Sequence, residues 1–413
     1  MKFNENLDML EMEMKGKFQN IQALYGGLII ENTQLTNLNF FTINNIYGEF
    51  NFFCENYGIL MKNNSKLTDI SIFNQFYLWG DEDYNECSFK VENNEKLDMG
   101  FLGDIFYNKQ FLNVDSSQNL NDIGCRGDQI TDATLKYYKN CEHIFGGLHL
   151  VNFSDISDFS SLTKVTRIYG NIEVRNTSLK DLSFLKNLKY MTVKNAGIHR
   201  KVTFDIRNNL EMKTLGIVPF DMTFYDYKYN RVANLENLHP DFCLTVEEVI
   251  QFLQVDMYFE NIHAKYCDKI GNMKGTKLCR FDGKLSDLNN NCDYILGNVI
   301  VESGDEESVK KLKKTGHIFG SITVRNTNLK NLDFLSELRY IASLDDSNPP
   351  IQISSNSNLK KAYLSGIFNI ISKNKTYAVI ENNHSSLFNS SNFLQLFPPE
   401  FQTRVLLYSS PRV

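Results

Sequence analysis

The sequence predicts a β-solenoid with short capping helices, and three observations predict it. A glycine-led segment recurs from Tyr25 to Thr33, from Tyr169 to Thr177 and from Phe319 to Thr327, the copies standing about 150 residues apart. In the second and third copies a related segment, opening at Cys141 and at Cys292, precedes it by about 24 residues, which is the period of leucine-rich-repeat-like coils. Within each segment apolar residues alternate with polar ones, the pattern of a short strand with one face buried. A repeat as long as the whole unit is a domain duplication, so three domains are expected, at 1–121, 122–266 and 267–413.

The elements follow in order. In the first copy the glycine strand at Gly26 and Gly27 is followed by a polar corner at Asn63, Asn64 and Ser65. In the second, Ile172 and Val174 are expected to point inward and Glu173 and Arg175 outward. Leu179, Leu182, Phe184, Leu185 and Leu188 then fill the interior on the return path. Asn176 and Asn326 sit where the chain leaves the strand, where an asparagine tolerates turn geometry and bonds neighbouring backbone. The same device returns at Asn208 and Asn209 and at Asn356 and Asn358. Cys243 to Leu253 has helical spacing with Thr245 as N-cap and acids in the first turn. Asp128 to Tyr138 and Asp282 to Leu288 read as short aspartate-capped helices, each covering the end of a stack that would otherwise expose its core.

Composition narrows the function. With 413 residues, 42% hydrophobic and 22% charged, the chain is in the globular range. Its formal net charge is -6 and it has no extended basic run with interleaved aromatics, which argues against a nucleic-acid partner. No stretch approaches the roughly 18 consecutive apolar residues of a membrane span, so direct membrane insertion is not expected. The first residues hold no apolar run of the kind a secretory signal needs, which by itself argues against export.

The eight cysteines carry more. Cys125 with Cys141 and Cys279 with Cys292 each bracket a predicted capping helix, and Cys243 with Cys267 can close the unit between. A disulfide in each bracket would staple cap to stack and stabilise it by roughly 3 kcal/mol; the alternative is reduced, buried thiols. Cys54 and Cys87 have no counterparts and their state stays open. Cysteine pairs at zinc spacing are missing and the histidines are scattered, so no metal or other cofactor is expected.

A cysteine, a capping helix, a second cysteine, then a glycine strand and a further step to another glycine strand ending in Asn-Thr: this arrangement resembles the receptor L domain. The likeness is closest from Cys279 to Ile341, nearly as good from Cys125 to Met191 and weakest before Cys125. In style it is most similar to insulin/EGF-receptor-like L-domain proteins of nematode type, which carry no kinase. The resemblance implies a right-handed β-helix, an extracellular or secreted location and a peptide or protein ligand, insulin-like or EGF-like. The cysteine-rich module between such domains is missing. The repeat spacing would put the first copy's opening cysteine ahead of Met1, so the first domain is expected to be incomplete at its N-terminus, through loss of a leading piece or through decay.

The outward strand positions His149, Glu173 and Arg175 in the second domain, and Ile300, Thr323 and Arg325 in the third, are the candidates for ligand contact, since stacked parallel strands present a continuous surface. An ordinary solvated face is the plain alternative, with the arginines paired to neighbouring acids. Arg126, Gly127 and Asp128 spell an adhesion tripeptide, but Arg280, Phe281 and Asp282 recur without the glycine, which favours a structural role. Glycosylation sequons stand at Asn63, Asn152, Asn176, Asn374, Asn383 and Asn389, as numerous as an asparagine-rich chain would hold by chance. Nucleophile elbows, phosphate loops and paired-histidine motifs do not occur, and Asp181 and Asp333 read as turn residues, so no enzyme is expected. Two functions remain: a ligand-binding protein without its own kinase, or a structural or cell-adhesion glycoprotein with no hormone ligand.

Overall fold

The structure, a computed structural model, describes residues 2–3, 16–18, 21, 23–41, 50–80, 88–99, 113–122, 125–153, 158–193, 202–217, 219–224, 231–268, 275–389 and 396–408. Cys87 lies outside them. The chain divides into two compact units, residues 1–209 with 216–230, and residues 210–215 with 231–413.

The first unit holds β1 (Lys2–Phe3), β2 (Ala23–Glu31), β3 (Phe50–Lys62), β4 (Phe76–Gly80), β5 (Ser88–Glu92), β6 (Asn113–Ser117), β7 (Cys125–Arg126), β8 (His143–Phe145) and β9 (Leu148–Val151). It continues with β10 (Arg167–Tyr169), β11 (Ile172–Arg175), β12 (Tyr190–Val193), β13 (Val202–Asn209) and β14 (Asp221–Phe224). One sheet runs β1-β2-β3-β5-β6, with β4 also on β3; a second runs β14-β12-β10-β8-β7; β9, β11 and β13 lie side by side in a third.

The second unit holds β15 (Arg231–Leu238), β16 (Cys243–Leu244), a helix α1 (Val246–Gln254), β17 (Met257–Ile262), β18 (Lys265–Tyr266), β19 (Leu278–Arg280), β20 (Tyr294–Leu296) and β21 (Val299–Val301). After them come β22 (His317–Phe319), β23 (Ile322–Arg325), β24 (Tyr340–Ser343), β25 (Ile351–Ser354), β26 (Asn369–Ser372), β27 (Ala378–Glu381) and β28 (Val405–Tyr408). Here the strands alternate between two sheets, β19-β20-β22-β24-β26 and β21-β23-β25-β27-β28. The described strand pairs are parallel.

The glycine signal marks the corner that carries the chain from one sheet to the other. Gly170 and Gly320 have φ of 128° and 148°, the left-handed region that favours glycine. A Cβ at Gly170 would run into the Gly147 backbone nitrogen, and one at Gly320 into the Gly297 carbonyl. Such close backbone stacking lets strand follow strand in register, Ile172 on Leu148 and Ile322 on Val299.

At the far end of each strand the asparagines do what their spacing suggests. Asn32, Asn63, Asn93, Asn152, Asn176, Asn208 and Asn326 have φ between 54° and 59°, a conformation their short polar side chains tolerate better than most. The next residue turns inward into a buried ladder. Asn64 Oδ1 accepts from Thr33 N at 3.0 Å, and Asn94 Oδ1 in turn accepts from Asn64 N at 3.0 Å. In the second copy Asn209 accepts from Thr177 N at 3.0 Å and donates to the Val174 carbonyl at 2.9 Å. In the third, Thr327 donates to Asn356 and Asn356 to Asn383. Each amide satisfies backbone groups that the tight corner leaves without a ladder partner.

The interior is aliphatic and aromatic, with Ile172, Val174, Leu182 and Leu185 at 0% exposure. Leu188 is buried as expected, whereas Leu179 and Phe184 are only half-buried; the Phe184 ring stacks on Phe159 at 5.3 Å instead of entering the core. The capping segments also differ from expectation. Asp128 to Tyr138 is two 3-10 turns, Gly127–Gln129 and Leu135–Asn140, and the second cap is a single turn, Leu285–Asp287. Neither aspartate is an N-cap: Asp128 lies inside its turn, paired to Arg126, and the residue capping the other turn is Lys284. Helix α1 does carry Thr245 as N-cap, in a capping box with Glu248.

All three expected disulfides form, Cys125–Cys141, Cys243–Cys267 and Cys279–Cys292, with Cα separations of 5.9, 5.0 and 5.8 Å. Within the second unit α1 and β18 seat on the sheet of β20 to β26. Asn369 donates to the Leu253 carbonyl at 3.2 Å and the Tyr266 hydroxyl to that of Ala342 at 2.7 Å. Burial pushes the Tyr266 phenol well above its ordinary value. Arg404 lies between the rings of Tyr258 and Tyr377, 4.7 and 4.8 Å from their centroids, which fixes the start of β28.

Candidate ligand-binding face

Strand alternation turns every second residue of β9, β11 and β13 outward, and register places them in rows. His149, Glu173 and Asp205 are neighbours across the three strands, with Arg175 beside Arg207 in the next row. The expected candidates His149, Glu173 and Arg175 are therefore brought together. They are half-buried because they hold one another. Arg175 is ion-paired to Glu173, Arg207 to Asp205 at 3.1 Å, and His149 lies 3.9 Å from the Glu173 carboxylate and 3.2 Å from Asn171 Oδ1. Sequence reading omitted Asp205 and Arg207. Their strand begins at Val202, five residues after the glycine of that stretch, Gly197, instead of two as after Gly170 and Gly320, so the glycine does not announce it.

In the third copy the same construction carries different chemistry. Ile300, Thr323, Gln352, Val379 and Leu406 form one row across β21, β23, β25, β27 and β28. Arg325, Ser354, Glu381 and Tyr408 form the row beside it. Ile300 and Thr323 are thus adjacent, and Arg325 stands one row over, paired to Glu302 at 3.0 Å. The central row holds no charge, and Leu406 at its end is 38% exposed.

The other singled-out residues are structural. Arg126 clasps Asp128 through two hydrogen bonds of 2.9 and 2.6 Å and also reaches Asp115 at 3.5 Å. Gly127 packs so tightly on the Gly147 carbonyl that no Cβ fits. The tripeptide is folded onto itself. Asp181 accepts from Ser183 N at 2.8 Å, as a turn residue does, and Asp333 begins a 3-10 turn. Among the sequons, Asn63, Asn152, Asn176 and Asn389 are exposed and Asn374 half-buried. Asn383 is a correction: it is 8% exposed and its amide nitrogen donates to the Ile353 carbonyl at 2.8 Å, so the folded chain withholds it from an oligosaccharide.

A second feature escaped sequence reading. Tyr294, His317 and Tyr340 occupy the same position on β20, β22 and β24, with ring centroids 4.3 and 4.7 Å apart, and Phe368 extends the strip at 5.9 Å. Neither His317 nitrogen has a hydrogen-bond partner, and burial lowers its pKa to about 4, so the ring is neutral and serves as an aromatic. The signal was present: each of these residues directly precedes the inward isoleucine of its strand, Ile295, Ile318 or Ile341.

Among the described residues no cluster of histidine, cysteine, aspartate or glutamate could hold a metal ion, and no helix is long and apolar enough to cross a membrane. Comparison with curated proteins returns no match. The family model described as Receptor L domain matches residues 140–255 and 291–396, more than half of the chain. Each match begins one residue before the second cysteine of a bracketing pair, at Cys141 and Cys292. Domains of this family have a right-handed β-helix-like fold and are the ligand-binding, non-catalytic parts of receptors, with protein ligands. Disulfides of this density accord with an extracellular setting. In its parallel strand stacks, its bracketed caps and its two matched regions, this chain belongs to the receptor L-domain family.

Proposed function

We propose that the chain is a non-enzymatic, secreted binding protein of tandem right-handed β-solenoid repeats, divided at 1–121, 122–266 and 267–413. On this reading its partner is an insulin-like or EGF-like peptide or protein, taken up without a kinase of its own. The observation that carries the reading is the uncharged row Ile300, Thr323, Gln352, Val379 and Leu406 across five parallel strands. Such a surface gives a protein partner apolar area to bury with no ion pair to desolvate. His149, Glu173 and Arg175 contribute the charged edge that favours one partner over another. Exposed Asn63, Asn152, Asn176 and Asn389, together with Asn374, carry the oligosaccharides in this reading.

Surface plasmon resonance of the immobilised chain against insulin-like and EGF-like peptides tests it. Saturable binding is expected, weakened at least tenfold by Val379→Asp. Attachment to matrix or cell surfaces with no saturable peptide binding would select the structural or adhesion function instead.

A further inference from the structure

Within the second unit, a cavity of about 330 Å³ opens where β18 meets the glycine corners of β20 and β22. Its size falls within the roughly 300–1,000 Å³ of small-molecule sites. Phe281, Leu296, Phe319 and Leu344, all at 9% exposure or less, supply apolar walls, and Tyr266 closes one side. Four charged residues stand around them: Lys265, Arg280, Asp282 and Asp345. Two are already engaged. Lys265 is paired to Asp241 at 2.8 Å, and the Asp345 carboxylate accepts from Ser347 N at 2.9 Å and Ser347 Oγ at 2.7 Å. That leaves Arg280, whose one hydrogen bond among the described residues is a long 3.3 Å contact to the Asp268 carbonyl, and Asp282, whose carboxylate makes none among them.

The corresponding place in the first unit shows what a closed version looks like. There Phe145 stands for Leu296 and stacks on Tyr169, which stands for Phe319, at 4.6 Å and 4°. Both rings join the core of the preceding repeat. Gly127 stands for Phe281, and Arg126 and Asp128 clasp each other. In the second unit the same arginine and aspartate are left apart over a hole. The two stand two residues apart in the chain, and both line the cavity with Phe281 between them in sequence. Together they can take the carboxylate and the ammonium of one small molecule, beside the wall that Phe281 supplies.

We propose that this cavity binds a small zwitterion with an apolar side chain, a free amino acid of the size of leucine or phenylalanine. Arg280 would take its carboxylate, Asp282 its ammonium, and the wall of Leu296, Phe319 and Leu344 its side chain. The site is separate from the outward strand rows and does not depend on the ligand assigned to them.

Saturation-transfer NMR with L-phenylalanine on the intact, disulfide-bonded chain tests it. Saturable binding with a Kd on the order of 1 mM is expected. Arg280→Gln and Asp282→Asn, both at exposed positions that leave the fold alone, should each weaken it at least fivefold, and phenethylamine and 3-phenylpropanoate should bind at least fivefold more weakly than phenylalanine. Leu296→Phe, which copies the filled joint of the first unit, should abolish it. No saturation, or binding unaffected by the two charge variants, overturns the proposal. So does equal binding of N-acetylphenylalanine amide, which would make the cavity a socket for a residue of a protein ligand.

Discussion

The outward strand rows of the second and third repeats are built on the same backbone and differ in almost every side chain that faces out. On β9, β11 and β13 the charges satisfy one another: Glu173 with Arg175, Asp205 with Arg207, His149 between Glu173 and Asn171. On β21 to β28 the corresponding row is Ile300, Thr323, Gln352, Val379 and Leu406. A partner covering the first would desolvate ion pairs whose attraction is already used, and the gain there is close to nothing. A partner covering the second would bury apolar atoms at about 25 cal/mol per Å². The scaffold is held constant while the surface is varied, so affinity is expected to reside in the third repeat and discrimination in the second.

The largest effect should come from what the two repeats share. Asn356 accepts from Thr327 N and Thr327 Oγ1, donates to the Val324 and Ser354 carbonyls, and is linked to Asn383 through both its backbone and its side chain. Asn209 accepts from Thr177 N and Thr177 Oγ1 and donates to the Val174 carbonyl. Each buried group left without a partner costs about 1–3 kcal/mol. Asn356→Ala should therefore destabilise by about 4 kcal/mol and Asn209→Ala by about 2–3, read from urea unfolding. An equal or reversed order would show that the ladders are not the common support.

Next in size is the contrast between the faces themselves. Val379→Asp should cost a partner at least tenfold in affinity, whereas Glu173→Gln should cost less than threefold at physiological salt. The second change should appear mainly in the association rate and its salt dependence. It should also lower stability by about 1 kcal/mol, because Arg175 loses a partner that is itself half-buried. If Glu173→Gln abolished binding while Val379→Asp did not, the assignment of affinity to the third repeat would be reversed.

Much of this was legible in the sequence, for a physical reason. A stack of coils repeats its demands at each turn: an inward aliphatic pair, a left-handed corner that asparagine tolerates, a glycine where two backbones touch. Ile172, Val174, Asn176 and Gly170 answer those demands and could be read one by one. The cysteine brackets were legible because the spacing itself was duplicated. What could not be read was whatever each copy does once. Asp205 and Arg207 belong to a strand that follows its glycine, Gly197, by five residues instead of two. The half-buried Phe184 is drawn off by Phe159, which no periodicity announces. The cavity beside Arg280 lies where Leu296 stands for the stacked Phe145 of the other copy, an apolar-for-apolar change that leaves the polarity pattern as it was. Local periodicity specifies a coil; contacts between coils and caps are settled only when the chain is folded.

The smallest predicted effect bears on that last difference. Arg126 holds the Asp128 carboxyl below the ordinary carboxylate range through its hydrogen bonds. A depressed folded-state pKa means that the pair contributes fully above the unfolded pKa of about 3.9 and that its contribution is lost as pH falls through the folded value. The two side chains are 24% and 32% exposed, so solvent screens the pair and its contribution is under about 1 kcal/mol. Arg126→Gln should therefore lower the stability of the first unit slightly at pH 7, and the difference from the parent should shrink as pH falls below the unfolded pKa of about 3.9. Arg280→Gln should leave unfolding unchanged over the same range, because among the described residues its arginine has no carboxylate to hold. Urea titrations at pH 7 and at successively lower pH distinguish the two. A matching acid-sensitive loss from Arg280→Gln would mean that Arg280 and Asp282 close on each other in solution as Arg126 and Asp128 do, and the two joints would then be the same.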